Sequence, residues 1–250
     1  MTQIGEAVAV DATAPNTGDC WYCKEKPPEE VQNKMDESPS GDAENGLRNC
    51  AATLGVNLGK RPKWKIAVPH DKSKRTPVVP AAHHLIPGNA SLKKATALLK
   101  FMCKGQVVES DIGYDVNGKG NGVWLPGNYG VNPLATHFKM KWTAYNKQDD
   151  YAILAMDQAN AQFHDAHPEY SSNVLATLRS IANKLAKEPK DKCPVCDKKK
   201  EKKRPPYGLV GRLNFVSGQH EQMLLSPRTK KKYVTAGYFT SSRVHRLFGP

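Results

Sequence analysis

The sequence predicts an α+β protein, in which short strands and amphipathic helices follow one another and polar segments flank a central region. Two apolar stretches with the alternation of strands, residues 64–68 and 78–86, come first. Apolar residues at helical spacing then indicate a helix from about residue 171 to 187. With 250 residues the chain is long enough to bury a sizeable core.

The same patterns predict the remaining elements. Ser91 is a candidate N-cap for a helix through about residue 102, and Pro168 is a natural break after a helix over 149–165. Another helix is predicted over 209–224. Two further strands are predicted over 122–125 and 233–240.

Composition excludes an integral membrane protein. Hydrophobic residues make up 39% of the chain, and the mean hydropathy is −0.61. No apolar run approaches the roughly 18 residues that a membrane-spanning helix needs. The N-terminus lacks a basic segment followed by an apolar one, so we expect no signal peptide and no membrane partner.

Charge divides the chain into two unequal parts. Residues 1–50 contain ten acidic and four basic side chains, whereas residues 51–250 contain 14 acidic and 33 basic ones. A strongly basic body favours a polyanionic partner, because each phosphate that it neutralises releases condensed counterions. An inert basic surface would have the same composition, so charge alone does not distinguish it from a nucleic-acid-binding surface.

Adjacent histidines are the most informative feature. Residues 82–87 read Ala-His-His-Leu-Ile-Pro, and side chains in a strand alternate between its faces. One imidazole can therefore hold a metal while its neighbour faces a scissile bond. His164 and His167 are three residues apart, near the end of the predicted 149–165 helix. They would share a helical face and complete the metal site.

These residue types fit the hydrolysis of phosphodiesters. The reaction needs a base that deprotonates water and a cation that neutralises the phosphate. A neutral imidazole can be the base at physiological pH, provided that its ring is held in one orientation. A lone histidine is more often structural, but a His-His pair with two further histidines downstream is a more specific signal.

Several blocks together carry a family resemblance. They are Ala-His-His-Leu-Ile-Pro at 82–87, Gly-Tyr-Asp at 113–115, Asn-Gly-Val-Trp-Leu-Pro at 121–126 and His-Pro-Glu-Tyr at 167–170. In this order they resemble the AHH family of HNH/endonuclease VII nucleases, over roughly residues 80–185. The resemblance implies the ββα-metal fold with added helices, and an endonuclease of the kind found in bacterial toxins and secretion-system effectors.

The resemblance also implies residue roles. His84 would be the general base, His83 a metal ligand on the opposite side of the strand, and Asn121 the residue that ties down its loop and orients the His84 ring. His167 would be a second ligand and His164 a third. Glu169 and Tyr170 would be supporting residues.

The sequence leaves more than one candidate for the downstream metal ligand. Asn121 and His164 are 43 positions apart, longer than a minimal ββα-metal motif, and His137 in the intervening segment could replace one of the two histidines. The sequence also leaves more than one candidate for the identity of the active-site ion. Imidazole favours Zn²⁺ or another transition ion, whereas Mg²⁺ would need phosphate and water to complete its shell.

Four cysteines form a second candidate site. Two Cys-x-x-Cys pairs have the residue type and local spacing of a four-thiolate structural Zn²⁺ site. Such a site would join the N-terminal arm to the segment that follows the nuclease helices, whereas disulfides or free thiols are the alternative. The four residues are Cys20, Cys23, Cys193 and Cys196.

Three regions are predicted on these grounds. Residues 1–60 form an acidic arm with the first cysteine pair, and residues 61–188 form the nuclease domain. Residues 189–250 contain the second pair, the lysine-rich run at 198–204 and a C-terminal extension.

The leading functional hypothesis is a metal-dependent DNase that acts as an antibacterial toxin. It would be made in the bacterial cytoplasm, carried by a secretion-system protein into the target-cell cytoplasm, and neutralised by a cognate immunity protein. One alternative is an HNH nuclease for restriction, phage processing or repair. The other is a zinc-stapled nucleic-acid-binding protein whose histidines are structural.

Overall fold

The computed structural model describes residues 20–22, 26–31, 47–68, 71–128, 145–187, 203–225 and 238–248. Within these residues the chain mixes helices with two small antiparallel sheets, which confirms the α+β prediction. No helix in these ranges is long and apolar enough to cross a membrane. The predicted region boundaries at 60/61 and 188/189 stay predictions.

Six α-helices and four strands have both of their ends within the described residues, and residues 29–31 are also helical. The helices are α1 (Ala51–Leu58), α2 (Thr96–Met102), α3 (Tyr145–Ala159), α4 (Pro168–Lys187), α5 (Gly208–Leu224) and α6 (Ser242–Phe248). The strands are β1 (Lys65–Val68), β2 (Asp71–Pro77), β3 (Pro80–His84) and β4 (Gly122–Pro126). Short 3₁₀ turns cover Leu92–Lys94 and Lys119–Asn121.

The strands pair as two separate two-stranded sheets. β1 pairs with β2, and β3 pairs with β4, both antiparallel. In the second sheet His83 lies opposite Val123 and His84 opposite Gly122. The sequence did not predict β2, because its Asp-Lys-Ser-Lys-Arg-Thr-Pro run lacks the apolar alternation of a half-buried strand.

One face of the β3–β4 sheet is covered by α1. Trp124 and Ala82, which are opposite each other in the register, lie against Gly55 of this helix, and Gly122 lies against the buried Leu54. His84 shares this face with Ala82, because alternate residues of a strand point the same way. His83 points to the opposite face.

The opposite face belongs to the main hydrophobic core. Helix α4 contributes a stripe of fully or almost fully buried side chains at helical spacing, as the sequence predicts: Val174, Leu178, Ile181, Ala182 and Leu185. Helix α5, also predicted, packs Leu209, Leu213 and Val216 into the same cluster. A smaller cluster joins α3 to β1 through Ile66, Tyr151 and Phe239.

The predicted 91–102 helix is interrupted. A 3₁₀ turn covers Leu92–Lys94, Ala95 leaves the helical region, and α2 begins only at Thr96. Ser91 does not cap the helix. Its fully buried hydroxyl instead donates to the Ser171 carbonyl of α4 at 2.7 Å, which uses the side chain in a tertiary contact.

The predicted 149–165 helix is wrong at its C-terminal end. Helix α3 ends at Ala159, and Asn160 follows in a left-handed conformation with φ +50°, which stops the helix. His164 and His167 therefore lie in a loop and not on a shared helical face. Pro168 begins α4 instead of ending α3, in the first-turn position that tolerates its missing N–H.

The C-terminal part also differs from the prediction. Most of the 233–240 strand lies outside the described residues, and Tyr238, Phe239 and Thr240 are not in a strand. Helix α6 was not predicted. The backbone groups of residues 240 and 242 are instead bonded to the loop between α3 and α4, a non-local contact without a sequence pattern.

Two glycines give opposite expectations for stability. A Cβ at Gly88, directly after the histidine motif, would overlap the Leu47 carbonyl oxygen and the Asn49 side chain, whereas a Cβ at Gly211 in α5 meets nothing within 4 Å. Gly88→Ala should lower the free energy of unfolding by about 3 kcal/mol. Gly211→Ala should raise it by about 0.8 kcal/mol through helix propensity.

Urea denaturation of both variants beside the parent protein measures this difference. A Gly88→Ala variant as stable as the parent would show that the close approach of residues 47 and 88 is not a constraint of the folded chain.

Candidate metal centre and active site

Three histidines come together on the core side of β3. The ring centroids of His83 and His164 are 5.0 Å apart, those of His83 and His167 are 5.0 Å apart, and those of His164 and His167 are 5.2 Å apart. One ring nitrogen from each lies within 4.8 Å of the others. The structure thus brings together the three predicted ligands, although two of them are on a loop.

The loop is shaped by the strand that it passes. His164 forms a parallel bridge with Gly127, and its N–H donates to the Pro126 carbonyl at 2.8 Å. His167 stands just before α4, and its Nδ1 is 3.4 Å from the Ser171 hydroxyl one turn into the helix. The end of β4 and the start of α4 therefore place these two side chains opposite His83.

C-terminal residues hold the same loop from outside. The Thr240 hydroxyl donates to the Phe163 carbonyl at 2.8 Å, and the Asp165 N–H donates to the Thr240 carbonyl at 3.0 Å. The Ser242 N–H donates to the Ala166 carbonyl at 2.7 Å. Loop residues on both sides of His164 are thereby fixed to the segment that leads into α6.

The cluster fits a divalent metal ion. His83 is 1% exposed, and its Nε2 has no hydrogen-bond partner among the described residues, which is costly for a buried polar atom unless an ion occupies the site. Burial lowers the pKa of His164 to about 4 and lowers the pKa values of His83 and His167 as well. Neutral imidazoles are the form that binds metal, and three of them leave positions open for substrate and water.

Tyr170 packs against this histidine cluster. Its ring is fully buried, with its centroid 5.0 Å from that of His83 and 5.7 Å from that of His167. Its hydroxyl donates to the Leu85 carbonyl at 2.7 Å, directly after the histidine pair. Glu169 points elsewhere and contacts His245 Nδ1 at 3.0 Å.

His84 lies on the other face of β3 and has a different partner. Its Nε2 is 2.9 Å from the Asn117 side-chain oxygen. That oxygen also accepts the Cys50 N–H at 2.8 Å, and the Asn117 amide nitrogen donates to the Arg48 carbonyl at 3.2 Å. These two bonds fix which end of the amide faces His84.

The His84 tautomer follows from this arrangement. An amide oxygen can only accept, so the Nε2 of His84 carries the hydrogen and its Nδ1 carries the lone pair. Burial lowers the pKa of His84, against a smaller opposing effect of the Asn117 hydrogen bond. The result is a largely buried neutral imidazole with one nitrogen able to take up a proton.

Asn121 makes the loop contacts expected of it but not the expected contact with His84. Its side chain bonds the Ile86 N–H at 2.7 Å, the Ile86 carbonyl at 3.0 Å and the Val116 carbonyl at 2.8 Å. It ties down its loop as expected, but within the described residues it makes no direct bond to the His84 ring. Asn117 makes that bond, and the sequence analysis missed it although both asparagines precede a glycine.

Other predicted site residues lie outside the described ranges. His137, the alternative ligand, is among them, as are Cys23, Cys193 and Cys196. Cys20 is described and partly buried, and its Sγ accepts the Tyr22 N–H at 3.4 Å. The four-cysteine zinc site stays a prediction.

The histidine cluster can be tested by metal binding alone. Changing His83, His164 or His167 to Ala should weaken the binding of Co²⁺ more than about a hundredfold, because even the loss of residues that only orient ligands costs ten- to a hundredfold. The visible absorption of Co²⁺ reports the site, and thiolate ligation would add separate near-ultraviolet bands.

The matched control is His245→Ala, which removes an imidazole outside the cluster. Parent-like Co²⁺ binding in all three cluster variants would contradict the assignment.

Comparison with known proteins agrees with this geometry. Residues 70–195 match the model of AHH, a nuclease family of the HNH/ENDO VII superfamily with conserved AHH. No curated protein and no solved structure matches the chain. The matched residues include the histidine pair of β3, Asn121 in the turn before β4, and the loop before α4 that contains His164 and His167. The chain therefore belongs to the AHH nuclease family of the HNH/ENDO VII superfamily.

Proposed function

We propose that this nuclease is a metal-dependent endonuclease that hydrolyses DNA phosphodiester bonds, with His84 as its general base. The observation that carries the proposal is that the two adjacent histidines lie on opposite faces of β3 and have different partners. His83 points into a cluster of three neutral imidazoles, whereas His84 points away and is held by Asn117. A structural histidine pair would need neither arrangement.

A divalent ion held by His83, His164 and His167 would neutralise the scissile phosphate and stabilise the leaving oxygen. Nitrogen ligands favour Zn²⁺ or another transition ion, and Mg²⁺ would need additional oxygen ligands from phosphate and water. The remaining chemistry belongs to residues of the chain.

His84 would take the proton from the attacking water. Its Nδ1 has the lone pair, and the hydrogen bond from its Nε2 to Asn117 keeps the ring from turning. The charge on the resulting imidazolium would be stabilised by the same amide oxygen, which faces the Nε2–H. Attack of the resulting hydroxide on phosphorus would break the P–O3′ bond and leave a 5′-phosphate, and the departing 3′ oxygen would take a proton from solvent to become the 3′-hydroxyl.

Charge supports a nucleic-acid substrate, and DNA is the nucleic acid that we propose. Residues 51–250 contain 33 basic and 14 acidic side chains, which favours a polyphosphate backbone. Charge does not distinguish DNA from RNA, so the test below includes both.

We also propose the biological setting that the family resemblance favours. The nuclease would be an antibacterial toxin, made in the bacterial cytoplasm and carried by a secretion-system protein into the target cell. A cognate immunity protein with an acidic surface would oppose the basic face and protect the producer. A structural Zn²⁺ at Cys20, Cys23, Cys193 and Cys196 would join the two flanking regions.

Cleavage of supercoiled plasmid in the presence of Mg²⁺, Mn²⁺, Ni²⁺ or Zn²⁺ tests the catalytic proposal. The parent protein should nick and linearise the plasmid, and His84→Ala should reduce the rate at least about a hundredfold, the range of general-base catalysis. Co²⁺ binding should be unchanged in this variant, because His84 is on the other face of β3.

His245→Ala is again the control and should cleave like the parent. A structured RNA assayed beside the plasmid decides the substrate, since faster cleavage of RNA would contradict the DNA assignment. Plasmid that survives the parent protein with every metal would overturn the enzyme proposal.

The role of Asn117 gives a separate prediction. Asn117→Ala leaves the His84 ring free to turn, so kcat should fall about tenfold while KM and Co²⁺ affinity stay near the parent values. Asn214→Ala, an exposed amide on α5, is the matched control. Loss of Co²⁺ binding in Asn117→Ala would show that this residue supports the metal cluster instead of the base.

A further inference from the structure

Helix α5 lies beyond the residues that match the family and yet reaches the active site. It spans Gly208–Leu224, whereas the family match ends at residue 195. Two polar side chains on its inner face, Ser217 and His220, are 0% exposed and stand about one turn apart. Both make hydrogen bonds to the segment that surrounds the histidine pair.

Ser217 acts on Asn121. Its hydroxyl donates to the Asn121 side-chain oxygen at 3.0 Å, and the same oxygen accepts the Ile86 N–H at 2.7 Å. Because both donors bind the side-chain oxygen of Asn121, they fix the orientation of its amide group. The Asn121 amide nitrogen is thereby directed to the carbonyls of Ile86 and Val116.

His220 acts on the peptide after His84. Its Nδ1 is 3.2 Å from the Leu85 carbonyl oxygen, which also accepts the Tyr170 hydroxyl. A carbonyl only accepts, so the His220 Nδ1 carries the hydrogen and the two donors use both lone pairs of the oxygen. The imidazole is held between Tyr170 and Tyr238, at centroid distances of 5.7 and 5.3 Å.

Ordinary core packing does not account for a histidine at this position. The His220 Nε2 is buried and has no hydrogen-bond partner among the described residues, so the residue carries a desolvation cost that an apolar ring would avoid. The group that offsets this cost is the Nδ1–H, which reaches the Leu85 carbonyl.

We propose that α5 contributes two positioning residues, Ser217 and His220, to the nuclease site. They hold the backbone of residues 85–86 in place, and this backbone in turn fixes the orientation of His84. The inference rests on the proposed function, since aiming His84 matters only if that residue is the base. It assigns a role to residues outside the family match.

Full-length variants of both residues provide the test. His220→Phe keeps a ring without the donor, and His220→Asn keeps a donor near the Nδ1 position without the ring. Ser217→Ala removes the other donor. Glu221→Ala, on the exposed side of the same helix, is the matched control.

With plasmid as substrate, His220→Phe and Ser217→Ala should each lower kcat about tenfold, with KM within about twofold of the parent, since slight misplacement of a catalytic group costs rate more than binding. His220→Asn should recover most of the loss, and Glu221→Ala should behave like the parent. A merely structural role predicts instead that the kcat of all variants follows their thermal stability, which would overturn the proposal.

Amide hydrogen exchange at Leu85 and Ile86 gives a readout independent of cleavage. Both N–H groups are bonded to Asn121. Their exchange should speed up about tenfold in His220→Phe and Ser217→Ala but not in Glu221→Ala, as expected for the loss of roughly one hydrogen bond. Parent-like exchange in Ser217→Ala and His220→Phe would overturn the role of α5.

The two failures are distinguishable. A parent protein that cleaves no nucleic acid refutes the proposed function, whereas the exchange rates still decide whether α5 restrains this backbone. Should His220→Phe fail to fold, Ser217→Ala with its smaller change of volume answers the same question.

Discussion

The pleat of a single short strand organises this nuclease. Because neighbouring side chains in β3 point to opposite faces, His83 enters the core beside two other imidazoles while His84 meets a separate asparagine. A shift of one residue in the pairing with β4 would exchange the two histidines. The register is set by the buried partners of the strand, among them Val123 and Leu125. The packing of a five-residue strand thus separates the proposed metal ligand, His83, from the proposed general base, His84.

Local patterns in the sequence predict several elements of the fold. The β3 and β4 strands, the buried stripe of α4 and the helix over 209–224 all follow from apolar spacing. The sequence predicts a helix over 149–165, which would place His164 and His167 on one helical face. Asn160 instead adopts a left-handed conformation that ends the helix at Ala159, and the apolar pattern alone does not indicate this.

The parts of the site that the sequence did not predict depend on distant residues. Asn117 reaches His84 only because Arg48 and Cys50 hold its amide, nearly 70 positions earlier in the chain. Likewise, nothing in the composition of residues 205–250 indicates that Thr240 fixes the backbone next to His164. Such contacts have no period or spacing, since they arise only when separate segments are packed together.

The hydrogen bonds that join Thr240 and Ser242 to the loop between α3 and α4 have a consequence for the time at which the site is assembled. During synthesis β3 leaves the ribosome long before α5 and α6, which supply donors to both sides of the site. Contacts across 76 to 135 positions form late, because closing a long loop costs chain entropy before the contact is made. A nascent chain therefore contains its histidine pair early, whereas the loop with His164 and His167 is fixed only after residues 240–242 have been made.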